Sequence, residues 1–319
     1  MSHTGPTLTF EGLSKSYGAV RAVDDLTFTV RPGAVTGFLG PNGSGKTTTL
    51  RMLLGLTTPT AGRALVDGTP YADLPRPARV VGASLEAAFH PGRTGLGHLE
   101  VYAPQVGVSK QRCRDLLDMV GLTAAARRKV GTYSLGMRQR LALATTLLGD
   151  PPAVVLDEPA NGLDPEGIVW LRGLLRTFAA EGRTVLVSSH VLGEVQHTVD
   201  DVVIISGGRL THASSLADLA TLVTQETLLV SPDAERLAAL CRERGWTTRA
   251  DRERGGLVVS DAPAAEIGAA AFAAGVELHQ LATRGTDLEE VFLRLTAPAP
   301  GSDPAPGSVP ADREAEVTR

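Results

Sequence analysis

Long apolar runs are missing from this chain of 319 residues. No stretch reaches the roughly 18 apolar residues that a membrane-spanning helix needs, and the best, such as 141–149, are short. The chain is therefore expected not to cross a membrane by itself. The first ten residues lack the basic segment and apolar segment of a secretory signal. Cysteine is scarce. Cys113 and Cys241 stand far apart, which excludes a disulfide framework and a cysteine-based metal cluster and suits a reducing compartment. An excess of positive charge is lacking too: 31 Lys and Arg against 35 Asp and Glu leave a formal net charge of −4, so no nucleic acid partner is expected from overall electrostatics. Neither internal repeats nor coiled-coil heptads are visible. What remains is 43% hydrophobic and 21% charged, a globular composition long enough for one large domain and a smaller one.

The most informative stretch is 34–49. An apolar run, Ala34 to Leu39, leads into Gly40-Pro-Asn-Gly-Ser-Gly-Lys46-Thr47, and a helix is predicted from Thr48 onward. Gly40, Gly45, Lys46 and Thr47 fit G-x-x-x-x-G-K-[ST], the phosphate-binding loop. Glycines let successive backbone N–H groups converge on one anion, while the following helix aims its positive end at the same point. Residues 40–48 (Gly40, Pro41, Asn42, Gly43, Ser44, Gly45, Lys46, Thr47, Thr48) are thus the candidate cradle for the phosphates of a nucleoside triphosphate. Lys46 would reach the β- and γ-phosphates, and the Thr47 hydroxyl would ligate Mg²⁺.

Along the chain, Leu8–Phe10 reads as a strand, 13–18 as a loop, and Asp25–Val30 as a half-buried alternating strand. Residues 60–82 close a small antiparallel β-subdomain and add a strand near Val80. From about 94 to 148 the pattern is helical. Ala153–Leu156, Thr184–Val187 and Val202–Ile205 are short buried-strand runs, with a helix predicted over Glu166–Ala180. Strands alternating with helices predict an α/β fold: a P-loop NTPase core with a mostly parallel sheet. Residues 216–296 read as a small α+β appendage, with strands at Leu228–Val230 and Leu257–Val259 and a last helix over Asp287–Leu295. Its His279 and Glu277 make no catalytic constellation. Residues 297–319, rich in Pro, Ala and Ser, are expected to be disordered.

A second acidic motif follows the buried run at 153–156: Asp157-Glu158-Pro159. At the carboxyl edge of a parallel sheet, Asp157 would hold the Mg²⁺ shell and Glu158 could accept a proton from attacking water. A solvated strand-end acidic pair, or a helix cap, is the alternative for such a pair standing alone.

Between and after these motifs stand Tyr133-Ser-Leu-Gly-Met-Arg-Gln-Arg140, Asn161-Gly-Leu-Asp164 and Ser188-Ser-His190. In this order, over residues 7–215, the chain resembles the nucleotide-binding subunit of an ATP-binding cassette (ABC) transporter, with a helical subdomain at about 91–148. Among subfamilies it is most similar to ATPase subunits of bacterial drug- and antibiotic-export systems, whose C-terminal extension 216–296 resembles. The resemblance implies ATP hydrolysis, with ATP and Mg²⁺ as cofactors and Glu158, His190 and Lys46 as catalytic residues. It implies that Tyr17 stacks on adenine, and that Ser134 and Gly136 touch the γ-phosphate held by a second cassette. It places Asp164 in the loop that meets the opposite subunit, where an N-cap before Pro165 is an equal reading. Where the family's commonest signature carries two glycines and a glutamine, this chain has Leu135, Gly136 and Met137.

The family also often has a glutamine linking the core to the helical subdomain. Glu86 stands there, and its carboxylate is the third candidate Mg²⁺ ligand. Each motif occurs once, so two cassettes, read as a homodimer, would close two ATP sites. A separate transmembrane permease would receive the motion, leaving this subunit peripheral on the cytoplasmic face of the membrane. A DNA-repair ATPase would need a coiled-coil or zinc insertion and a translation factor two cassettes. An importer shares the core motifs and is separated from an exporter by its membrane partner.

Overall fold

A computed structural model describes residues 4–85, 88–222, 225–251, 255–285 and 288–297. Their contacts divide the chain into a first unit, which runs through Leu216 and takes in the described residues from Leu295 onward, and a second, Ala217–Arg294. Glu86, and residues 298–319 of the expected disordered tail, lie outside the described residues.

The first unit begins with β1 (Leu8–Tyr17), β2 (Val20–Val30), β3 (Val35–Leu39) and α1 (Lys46–Leu53). It continues through β4 (Ala61–Val66), α2 (Pro77–Val80), β5 (Val81–Ser84), α3 (Gly95–Val106), α4 (Lys110–Met119) and α5 (Leu135–Thr146). Then follow β6 (Ala153–Leu156), α6 (Pro165–Ala180), β7 (Thr184–Ser189), α7 (Leu192–Val195), β8 (Asp201–Ser206) and β9 (Arg209–Ser215). Two sheets result. The larger runs β5-β6-β7-β3-β8-β9, parallel except for the last strand. All five residues of β3 and all four of β6 are buried, because a parallel sheet is covered on both faces. The smaller sheet, β2-β1-β4, is antiparallel. An aromatic stack ties the two together: Phe10 on Phe28 at 4.1 Å and Phe28 on Phe38 at 5.4 Å between ring centres.

Residues 13–17, expected as a loop, continue strand β1. Register shifts between Phe10 and Ser16 break the alternation that marks a strand in sequence. Gly12, at φ +56°, supplies one of these irregularities with the left-handed backbone that glycine adopts without steric cost.

The second unit contains β10 (Gln225–Val230), α9 (Ala234–Glu243), β11 (Thr248–Asp251), β12 (Gly256–Val259), α10 (Ala264–Ala273) and β13 (Gln280–Gly285). α8 (Leu216–Thr221) precedes them and α11 (Leu288–Thr296) follows. The antiparallel order β11-β12-β10-β13 is a split β-α-β arrangement. Leu229, Leu237, Leu240, Cys241, Val259 and Ile267 pack in its core. Strands β11 and β13 have no counterpart in the sequence reading. Both are edge strands, and Thr-Arg-Ala-Asp and Gln-Leu-Ala-Thr-Arg-Gly carry little β-forming signal until paired with β12 and β10. His279 and Glu277 pair with each other at 3.4 Å, both exposed. No helix among the described residues is long and apolar enough to cross a membrane.

Candidate active site

In the larger sheet β7 lies between β3 and β6, so the carboxyl ends of three parallel strands meet at one edge. The loop after β3 is residues 40–45. Asp157 and Glu158 leave β6, and Ser188, Ser189 and His190 end β7. An open cleft of about 370 Å³ lies there, lined by residues 42–48 together with Ala22, Glu158, Asn161 and His190.

The loop is shaped for close backbone approach. Gly45 sits at φ +102°, and a Cβ there would stand 2.5 Å from the Ala22 carbonyl oxygen. Lys46, the first residue of α1, is only 6% exposed and donates to the carbonyls of Gly40 (2.7 Å) and Pro41 (3.2 Å). Burial pushes its ammonium below the ordinary lysine value, against the raising pull of Glu158 and Asp157. The Ser44 hydroxyl oxygen is buried in this cradle without a partner among the described residues. An orphaned polar atom beside a lysine and a helix N-terminus is a surrounding an anion would complete.

A chain of short contacts runs across the floor. Thr47 Oγ1 donates to Asp157 Oδ2 at 2.6 Å, and the Ser188 hydroxyl donates to Asp157 Oδ1. The Glu158 amide donates to Ser188 Oγ at 2.9 Å. The Glu158 carboxylate then stands 2.6 Å from His190 Nδ1 and 3.5 Å from Lys46 Nζ, with Asn161 Nδ2 at 3.4 Å. Glu158 itself lies at φ +49°, a left-handed conformation costing a non-glycine residue roughly 1–2 kcal/mol. That turn sends Asp157 toward Thr47 and Glu158 into the cleft, where plain strand alternation would point them apart. Strain of this kind persists only where neighbours over-determine it; here Ser188 and Asn161 do so.

The family model described as ABC transporter matches residues 23–161. The ABC transporter ATP-binding protein YcbN of Bacillus subtilis is 33% identical over 295 residues, covering 89% of this chain and 95% of that protein. The chain belongs to the ATP-binding proteins of ABC transporters. As a member of that family it is an ATPase and binds nucleotide. The bacitracin transport ATP-binding protein BcrA of Bacillus licheniformis is 42% identical over 202 residues, 62% of this chain and 66% of that one. Among solved structures, an ATP-binding subunit of an ABC transporter is 29% identical with a TM-score of 0.62, covering 67% of this chain and 92% of the other. Residues 225–289 match a second family model, a domain of unknown function.

The remaining residues singled out in sequence do not line the cassette's cleft. Tyr17 ends β1 at the tip of its hairpin, 51% exposed, with Lys15 Nζ 5.0 Å from its ring centre. Ser134 caps α5, accepting from the Met137 amide at 3.2 Å, and Gly136 lies in the first turn of that helix. Asp164 caps α6 by accepting from the Gly167 amide at 2.8 Å, with Pro165 at the first helical position. Conversely, Ser188, Asn161 and Ala22 join the site without having been assigned roles from sequence. Ser188 and Asn161 lie inside the motifs 188–190 and 161–164, but only the strand order reveals what they touch.

Proposed function

We propose that this ATPase is the motor of a bacterial exporter of an antibiotic or similar compound, working as a pair of cassettes under a separate permease. The observation that carries the catalytic part is the continuous contact path Thr47–Asp157–Ser188–Glu158–His190, closed by Lys46. Lys46 and the backbone N–H groups of residues 42–48 hold the phosphates. Thr47 and Asp157 offer oxygen atoms 2.6 Å apart, a hard-donor pair suited to Mg²⁺. Among the described residues no cluster of three or more His, Cys, Asp or Glu could hold a metal alone, which fits a cation completed by substrate phosphate and water. When bound, Mg²⁺ would neutralise charge on the phosphates. Glu158 accepts the proton of the attacking water, and His190 orients its carboxylate. Tyr17 stacks on adenine.

Ser134 and Gly136, on a helix N-terminus away from the chain's own cleft, complete the site of a second copy. A bacterial ABC transporter cassette of the same fold is described as dimeric (TM-score 0.60, 22% identity, covering 66% of this chain and 98% of that one). Export of an antibiotic-like compound is supported by the bacitracin relative and by the lantibiotic transport ATP-binding protein SrtF of Streptococcus pyogenes, 36% identical over 204 residues, 64% of this chain and 88% of that one. A second cleft of about 270 Å³, lined by Leu54, Leu56, Tyr71, Tyr102, Gln105 and Val106 among others, is where the permease would seat, on the cytoplasmic face of the membrane.

Glu158→Gln tests the assignment. Mant-ATP should still bind, while turnover falls by about 10² to 10⁴. Lys46→Ala should abolish turnover. Full activity of Glu158→Gln removes Glu158 as the base.

A further inference from the structure

We infer that the surface formed by Arg93, Arg127, Arg128 and Lys129 docks on the anionic headgroups of a membrane. The inference rests on the reading above that the protein works at a membrane. It begins with composition. Residues 119–149 contain no Asp or Glu while holding Arg127, Arg128, Lys129, Arg138 and Arg140, and residues 87–99 contain none while holding Arg93. In a chain of net charge −4 such local asymmetry marks an electrostatic footprint.

Tertiary structure then concentrates it. The loop before α3 and the loop before α5 are laced together by backbone hydrogen bonds. Val130 donates to Arg93 (2.8 Å), Leu96 to Ala126 (2.9 Å), Gly131 to Pro91 (3.0 Å) and Gly95 to Arg128 (3.3 Å), with an antiparallel bridge between Thr94 and Lys129. Tyr133, buried, braces this junction by donating to the Ala125 carbonyl at 2.7 Å. The four cationic residues all come out exposed, beside exposed His90. Being held by backbone lacing, the array would bind without a large ordering cost.

Elsewhere on this protein several exposed arginines do find carboxylates: Arg31 with Asp201, Arg63 with Glu11, Arg209 with Asp24, Arg249 with Glu226. None of the four patch residues makes an ion pair among the described residues. Arg128 alone uses its guanidinium, donating to the Thr132 carbonyl at 3.2 Å. The patch is also separate from the second cleft. Thr94 caps the N-terminus of α3, while Tyr102, Gln105 and Val106, which line that cleft, lie roughly 12 to 18 Å further along at 1.5 Å per residue. Point charges on exposed loops match a plane of phosphate headgroups better than a peptide, which needs pockets for its side chains. Each Lys or Arg near such a surface contributes about fivefold in binding.

The test uses the full-length protein, without permease, sedimented with phosphatidylglycerol-containing or pure phosphatidylcholine vesicles. Its soluble ATPase activity and Tm are measured in parallel. The wild type should partition onto the anionic vesicles only, with binding that falls as salt rises. The triple variant Arg93→Gln, Arg127→Gln, Lys129→Gln should lose about 10²-fold in partitioning with ATPase activity and Tm unchanged. Equal partitioning of variant and wild type, or equal binding to both vesicles, overturns the inference. Binding to polyglutamate without binding to anionic vesicles overturns it in favour of an acidic protein segment. ATPase activity that survives while vesicle binding fails rejects the patch alone, whereas an inactive wild type rejects the functional reading.

Discussion

Replacing Ser188 with alanine removes the hydroxyl on which both acidic residues of the site depend. Ser188 is fully buried on the central strand β7. Its Oγ donates to the Asp157 carboxylate and accepts from the Glu158 amide at 2.9 Å. Losing a hydrogen bond to a charged acceptor costs about 1.5–3 kcal/mol, and an unmet buried amide about 1–3 kcal/mol. With partial relaxation the two together should destabilise the cassette by about 2–4 kcal/mol. At roughly 2–4 °C per kcal/mol this lowers Tm by about 4–16 °C. The catalytic effect has a separate origin. Glu158 holds φ +49° with this amide anchored, and freeing it lets the backbone relax and draws the carboxylate away from its place in the cleft. A displacement of about 1 Å costs about 10² in kcat, while the KM for ATP, set by residues 42–48, should change little. Ser188→Thr keeps the hydroxyl on a β-branched side chain suited to a strand and should recover most of the lost kcat. Calorimetry and steady-state ATPase assays on the three proteins decide the matter. An alanine variant with wild-type Tm and kcat would refute the anchoring role altogether.

Gly45→Ala should destroy nucleotide binding, because φ +102° is strained for alanine and its Cβ would press on the Ala22 carbonyl at 2.5 Å; unchanged ATP affinity by titration calorimetry would contradict this. His98 supplies a pH prediction. It is 3% exposed between Phe89 and Tyr102, its Nδ1 unpartnered among the described residues, and burial with the charge of Arg93 pushes its pKa below 6.5. The unfolded chain therefore takes up the proton first as pH falls, and stability present above about pH 6.5 is lost on acidification toward the folded value. Between about pH 7.5 and pH 5 the wild type should lose more Tm than His98→Phe; parallel curves would exclude His98 as the cause.

The sequence by itself carried features whose cause is local. The runs at 35–39 and 153–156 announce strands buried on both faces. Glycines at 40, 43 and 45 before Lys46 announce an anion cradle, and Asp164 before Pro165 announces a helix start. These depend on residues within a turn or two of one another. Strands β11 and β13, and the second half of β1, were illegible because their conformation comes from the partner strand rather than from their own composition.

What tertiary structure alone decided is which motifs touch. Seating β7 between β3 and β6 brings Ser188 onto Asp157 and His190 onto Glu158 from more than thirty positions away. The left-handed turn at Glu158 then aims one carboxylate at Thr47 and its neighbour at the cleft. Strand order is a property of the packed sheet, fixed by the burial of two faces at once. No local pattern of residues encodes it, and the chemistry of this site waits on it.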